Sequence, residues 1–281
     1  MAVTVYKNGI LPTSEVCLAR FFGMSMVEPS HATNFPTVLF LPDALLPVET
    51  AYRYLLEYIQ GEIQVVLKDL EVYRGNSPPP MYGLEMEIEA IKQTIGDKKI
   101  HLVGFSGGGG IGLAFLAKHP DQVKSVVLIE PAWVGNDNLT QFEKDYWLQM
   151  DRIWCLPIEE RINAFVKQNL RDGVAPPPSP PPTVPSWFNL RPVGFAAIAD
   201  AFSRADLCKS ALAKFSGPVY LAVGGLSHSI EQYKANTLLA LFPHIRLEVF
   251  PDCHHFDPPH RSHPERFASI LREFWKEFEL S

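Results

Sequence analysis

Gly104-Phe105-Ser106-Gly107-Gly108 is the stretch of this chain best suited to covalent chemistry. It follows the apolar run Lys99-Ile100-His101-Leu102-Val103 and precedes a segment that reads as a helix over 108–119. A serine on a sharp strand-to-helix turn stands clear of the sheet, near the positive end of the helix, and small neighbours let the backbone approach closely. A serine hydroxyl is a weak nucleophile at neutral pH and needs an adjacent base. Four of the nine histidines, His254, His255, His260 and His263, fall late in the chain, after its last strand-like run. With Asp252 and Asp257 they also suggest a metal, but the serine turn needs a histidine there and metal ligands need convergent geometry. One base among polar loop residues is therefore the expectation, with no metal and no organic cofactor. No Lys-Ser or Lys-Thr follows the glycines, which excludes a P-loop.

The elements that must position these groups alternate in type. Apolar runs at 37–41 and 125–129 suit strands buried on both faces of a parallel sheet, and 63–67, 99–103, 218–223 and 245–250 read as the other strands. Helical segments are expected over 48–60, 83–95, 108–119 and 230–242, the second from the spacing of Leu84, Ile88, Ile91 and Ile95. A last helix should begin near Ser262, where Ser262 and Glu265 form a capping-box pattern and Phe267, Ile270, Leu271 and Phe274 supply the buried face. Residues 3–6 and 16–22 read as short antiparallel strands. This alternation predicts an α/β fold, a mostly parallel central sheet with helices on both faces.

The alternation breaks between about 134 and 214. The expected organisation is a core domain built from 1–133 and 215–281, with 134–214 inserted as a helical lid. Within it, Ala175–Pro185 carries seven prolines (176, 177, 178, 180, 181, 182 and 185) and reads as a stiff, irregular loop rather than an SH3-type ligand. Trp133, Trp147, Trp154, Trp187, Phe188 and Phe195 give this region an aromatic character, which implies a partly apolar substrate pocket.

Composition narrows the classes. The chain has 281 residues, is 47% hydrophobic and carries a net charge of −6, so a sizeable core is possible and a phosphate backbone is not the expected partner. No run of about 18 apolar residues suggests a membrane span. No basic-then-apolar leader is visible at Met1, and Cys17, Cys155, Cys208 and Cys253 form no CxxC. Reduced thiols and a cytoplasmic location are the expectation. The expected partner is a small-molecule substrate.

Taken with the inserted segment and a late histidine before a C-terminal helix, Gly104-Phe105-Ser106-Gly107-Gly108 resembles the α/β-hydrolase superfamily over nearly the whole chain. The resemblance implies Ser106 as nucleophile. Many members carry the histidine in Pro-Gly-x-Gly-His-Phe; setting Pro251 and Phe256 on that pattern implies His255 as base, with His254 in place of the usual glycine. Members often have His-Gly after the strand matching 37–41, where this chain has Pro42-Asp43. Proline cannot donate, so Ala44 N–H and Gly107 N–H are the implied oxyanion donors. Asp43 either faces the site or caps the next turn.

The usual place for the orienting acid, after 218–223, holds no carboxylate until Glu231. Some members place the acid after the preceding strand instead, here Glu130. The candidates are Glu130, Asp257, Asp252 and Glu231. Glu130 is expected to act, because it ends a buried strand beside the nucleophile strand. Glu231 is expected to be solvated inside a helix. The resulting reading is a serine hydrolase of an ester, thioester, lactone or activated C–C bond. A cofactor-free perhydrolase or lyase on the same fold, or a low-turnover receptor, are the rivals.

Overall fold

The computed structural model describes residues 35–177 and 186–279. Six parallel strands form one sheet: β1 (Thr37–Leu41), β2 (Gln64–Leu67), β3 (Ile100–Phe105), β4 (Val123–Ile129), β5 (Val219–Gly224) and β6 (Ile245–Phe250), in the order β2-β1-β3-β4-β5-β6. Helices α1 (Val48–Ile59), α2 (Leu84–Ile95) and α3 (Gly107–Lys118) alternate with the first strands. Between β4 and β5 the chain leaves the sheet for α4 (Gln141–Trp154), α5 (Ile158–Gln168), α6 (Arg191–Ser203) and α7 (Lys209–Leu212). Helices α8 (Ile230–Leu241), α9 (Pro259–Ser262) and α10 (Pro264–Glu279) complete the fold.

Strand side chains alternate between faces, so one strand feeds two cores. Leu39, Leu102, Val126, Leu128 and Leu221 pack on one side with the buried residues of α2, α3 and α8. Val38, Phe40, Val103, Val127, Ile129 and Tyr220 pack on the other with α1 and α10, including Tyr52, Phe267 and Phe274. The central strands are buried on both faces, which explains why their sequences read as unbroken apolar runs. β6 lies at the sheet edge, and of its residues only Phe250 is buried.

The strand order fixes where a site can form. After β1 the chain pairs outward to β2, then returns to place β3 on the other side of β1. The loops leaving the carboxyl ends of β1 and β3 therefore diverge and open a crevice, the usual ligand position in such sheets.

One expectation changes. Ser262 does not cap the last helix: it ends the short α9, and its hydroxyl donates to the Asp257 and Pro258 carbonyls at 2.9 and 3.2 Å. The proposed strands at 3–6 and 16–22 lie outside the described residues, as does most of the proline run; only Pro176 and Pro177 are described, in irregular chain. Among the described residues Cys155, Cys208 and Cys253 are unpaired, and no helix is long and apolar enough to cross a membrane.

Two histidines are built into these cores. His101 on β3 is 2% exposed, and its Nδ1 lies 2.7 Å from Ser125 Oγ. Burial, assisted by the charge of Lys124, pushes its imidazole from 6.5 down to about 4. His260 is fully buried among the rings of Tyr52, Phe105 and Phe267 and is pushed down further by burial. The unfolded chain takes up a proton at each histidine before the folded one does. The stabilising effect of His101 is thus complete above pH 6.5 and is lost as pH falls toward 4. That interval corresponds to about 3 kcal/mol. Urea midpoints should fall between these pH values, and His101→Gln should remove part of the slope. An identical slope in the variant would contradict this account.

Candidate active site

Ser106 sits on the turn between β3 and α3 with φ 49° and ψ −115°, a left-handed conformation that a non-glycine residue adopts only under constraint. The constraint is visible in the hydrogen bonds. Ser106 N–H donates to the Ile129 carbonyl at 3.0 Å, and the Ser106 carbonyl accepts from Gly110 and Ala132 at 3.1 and 2.8 Å. The glycines flanking the serine have a steric reason. A Cβ on Gly104 would lie 2.8 Å from the Gly108 carbonyl oxygen, and one on Gly108 would collide with the carbonyls of Leu41 and Pro42. The Gly108 amide instead donates to Pro42 O at 2.9 Å, which ties the β1 loop to the turn.

Ser106 Oγ lies 2.9 Å from His255 Nε2, and His255 Nδ1 lies 2.8 Å from Glu130 Oε2. The three side chains are 2–4% exposed. Glu130 follows β4 with φ 41°, a second strained turn at the same sheet edge. Its other oxygen, Oε1, accepts from the Gly224 amide and the Ser227 hydroxyl, both at 2.6 Å. Burial pushes this carboxyl up. The hydrogen bond and charge of His255, with the Ser227 and Gly224 donors, outweigh burial and hold it below the ordinary range.

The remaining late histidines have other partners. His254 Nδ1 accepts from the amides of Phe256 and Asp257, both at 3.1 Å. His263 pairs with Asp252 at 2.9 Å, which occupies that carboxylate. His260 lies in the core behind Phe105. Asp257 is exposed. Of the four acid candidates, then, Glu130 holds the histidine. Glu231 departs from expectation: it is 3% exposed, because the face of α8 that carries it packs against the exit of β4, where Lys234 neutralises it.

At the divergence of the β1 and β3 loops, Ala44 faces Gly107. A Cβ on Gly107 would lie 3.5 Å from the Ala44 amide nitrogen. Gly107 is the first residue of α3, whose opening amides have no acceptor within the helix. Asp43 takes both expected roles in part. Its Oδ1 accepts from Leu45 and Leu46 at 2.5 and 2.9 Å, a turn cap, while burial pushes its carboxyl up.

Two cavities meet at Ser106 and His255. The narrower one, about 280 Å³, is walled by Trp133, Tyr146, Trp147, Trp154, Phe165 and Phe202. The wider one, about 1140 Å³, is bordered by Asp43, Phe188, Phe256 and Arg261. Of the aromatics singled out in the sequence, Trp133, Trp147, Trp154 and Phe195 line the narrow cavity. Phe195 and Phe188 border the wide one, and Trp187 instead stacks under the Arg191 guanidinium at 4.9 Å. Ser227 and Lys234 were not legible as site residues. Ser227 had no signal, and Lys234 had only its spacing of three from Glu231.

Comparison with known proteins agrees with this fold. A 2-hydroxy-6-oxononadienedioate/2-hydroxy-6-oxononatrienedioate hydrolase of Comamonas testosteroni is 23% identical over 124 residues, 41% of this chain and 43% of that protein. A fluoroacetate dehalogenase of Burkholderia sp. is 28% identical over 101 residues, 32% of this chain and 33% of that protein. The match thus spans less than half the length of these curated relatives. An esterase from Exiguobacterium antarcticum superposes with a TM-score of 0.63 at 18% identity, over 86% of this chain and 92% of the esterase, a likeness of fold. The family described as alpha/beta hydrolase fold matches residues 64–259, from β2 through the Ser106 turn to the His255 loop, and the chain belongs to that family.

Proposed function

We propose that this chain is a serine hydrolase acting at the carbonyl of a small, partly apolar substrate, most directly a carboxylic ester, through an acyl-enzyme. The observation that carries the reading is the unbroken relay from Ser106 Oγ through His255 to Glu130, with contacts of 2.9 and 2.8 Å, at the junction of two cavities. Ser106 attacks as His255 Nε2 takes its proton. Glu130 holds Nδ1, keeps the ring in the useful tautomer and stabilises the imidazolium. The Ala44 and Gly107 amides receive the oxyanion. His255 returns the proton to the leaving group, and water, activated by the same ring, releases the acid.

In this reading the 134–214 segment is a lid, and the aromatic walls it lends to the narrow cavity select the apolar part of the substrate. Thioesters, lactones and activated C–C bonds share the same first step. The Comamonas relative, a 2-hydroxy-6-oxononadienedioate/2-hydroxy-6-oxononatrienedioate hydrolase, acts on an oxo acid, which supports attack at a carbonyl carbon.

A fluorophosphonate should label one peptide, that containing Ser106, and Ser106→Ala should abolish the label. His255→Ala should lower kcat about 10³-fold or more. His254→Ala should cost far less, because its ring only receives turn amides. The reverse ranking would move the base by one residue.

Substrate length tests the cavity. Each buried methylene contributes about 0.8 kcal/mol, or about fourfold in kcat/KM. An ester series should therefore gain by that factor per carbon until the narrow cavity is filled, then fall. A strong preference for phosphorylated or polycarboxylate substrates would contradict the assignment.

A further inference from the structure

Behind His255 the structure holds more charge than the relay requires. Glu231 and Lys234, both on the buried face of α8, form an ion pair at 2.8 Å with side chains 4% and 5% exposed. Lys234 Nζ also donates to the carbonyl of Pro131, the residue after Glu130, at 2.6 Å. One carboxylate oxygen each from Glu130 and Glu231 and one ring nitrogen of His255 all lie within 4.8 Å of one another. Glu231 Oε2 is buried and has no hydrogen-bond partner among the described residues.

Two buried carboxylates this close oppose each other's ionisation. Burial pushes Glu231 up, Lys234 pulls it back down, and the charge of Glu130 adds to the upward push. A chain that needed only packing here would be better served by apolar side chains, since a buried ion pair contributes little net stability. The electrostatic consequence is specific. With both carboxylates ionised, Glu130, Glu231 and Lys234 carry one net negative charge, and that charge is balanced when His255 takes the serine proton.

We infer that Glu231 is a second positioning carboxylate for His255, kept in place and charge-balanced by Lys234, and able to support the histidine when Glu130 is removed. The inference rests on the serine-hydrolase reading above. Other titratable groups around the cluster are Asp43 after β1, Tyr146 on α4, and Cys253 and His254 on the histidine's own loop. Burial pushes the Asp43 carboxyl, the Tyr146 phenol and the Cys253 thiol up and the His254 imidazole down, in each case toward the neutral form. Burial raises Glu231 likewise, but Glu231 differs from these groups in having a cation, Lys234, at 2.8 Å; Arg261, across the wide cavity, is the other charge near the ring.

The test is the rate of Ser106 labelling by a fluorophosphonate as a function of pH, on the full chain. Glu231→Gln leaves Lys234 facing the histidine without its counter-charge. The acid-side midpoint of the curve should fall by about one pH unit, because protonation of the ring becomes harder. Adding Lys234→Met should move the midpoint back toward the wild-type value, which a purely structural role would not do. In the Glu130→Gln background, Glu231→Gln should slow labelling at least about tenfold more than it does in the wild type, since the two carboxylates act on one ring. Superimposable wild-type and Glu231→Gln curves, or an equal cost of Glu231→Gln in both backgrounds, overturn the inference alone. A wild-type chain that takes up no label overturns it together with the hydrolase reading.

Discussion

A buried carboxylate, Glu130, is the constraint on which the site depends. Removing such a group from water costs several kcal/mol unless its oxygens find donors. Glu130 finds them on three separate pieces of chain: the Gly224 amide at the end of β5, the Ser227 hydroxyl in the following loop, and His255 beyond β6. Satisfying it therefore requires the exits of β4, β5 and β6 to converge. The loops are further tied by Gly225 N–H to Phe250 O at 2.7 Å and Leu226 N–H to Cys253 O at 2.9 Å. The geometry of the histidine is thus set by residues that line neither cavity.

The serine is held from the other side. Its amide reaches back to the end of β4, and Gly108 binds the loop after β1, so the nucleophile turn is clamped between its two neighbouring strands. The clamp to the β1 loop leaves no room for a Cβ at 108, and the turn's own backbone leaves none at 104, which is why glycines stand there despite the roughly 1 kcal/mol each costs in regular structure. The strained φ values at Ser106 and Glu130 fall at the two strand ends that these contacts over-determine.

What could be read from the residues follows from which forces are local. The central strands were legible because burial on both faces writes a continuous apolar run into a short segment, the edge strands β2 and β6 from their place in the strand–helix alternation, and the Gly104–Gly108 turn because its steric demand falls within five residues. His255 was legible only through the spacing between Pro251 and Phe256, since four histidines compete there on composition alone. Glu130 could be argued from its place at the end of a buried strand. Ser227 and the burial of Glu231 could not, because both depend on the distance between α8 and the exit of β4, a tertiary quantity with no periodic signature. The capping box at Ser262 misled for a related reason: Pro258 and Pro259 start a short helical turn one step earlier, and the hydroxyl is drawn to its carbonyls.

The arrangement of polarity is consistent from front to back. In front of Ser106 the narrow cavity offers aromatic rings and few charges, walls that under the proposed function would keep water from the substrate carbonyl. Behind His255 the ionised groups are packed densely and shielded from solvent. A charge developing on the ring is then felt strongly, because little water remains to screen it. The same exclusion of water makes an uncompensated carboxylate intolerable, so the second one arrives with a lysine three residues along the same helix. Lys234 also borders the narrow cavity, so its ammonium is bound from behind by Glu231 and the Pro131 carbonyl while its chain forms part of the wall. Under the proposed function, the wall that receives the substrate and the groups behind the histidine therefore share a side chain.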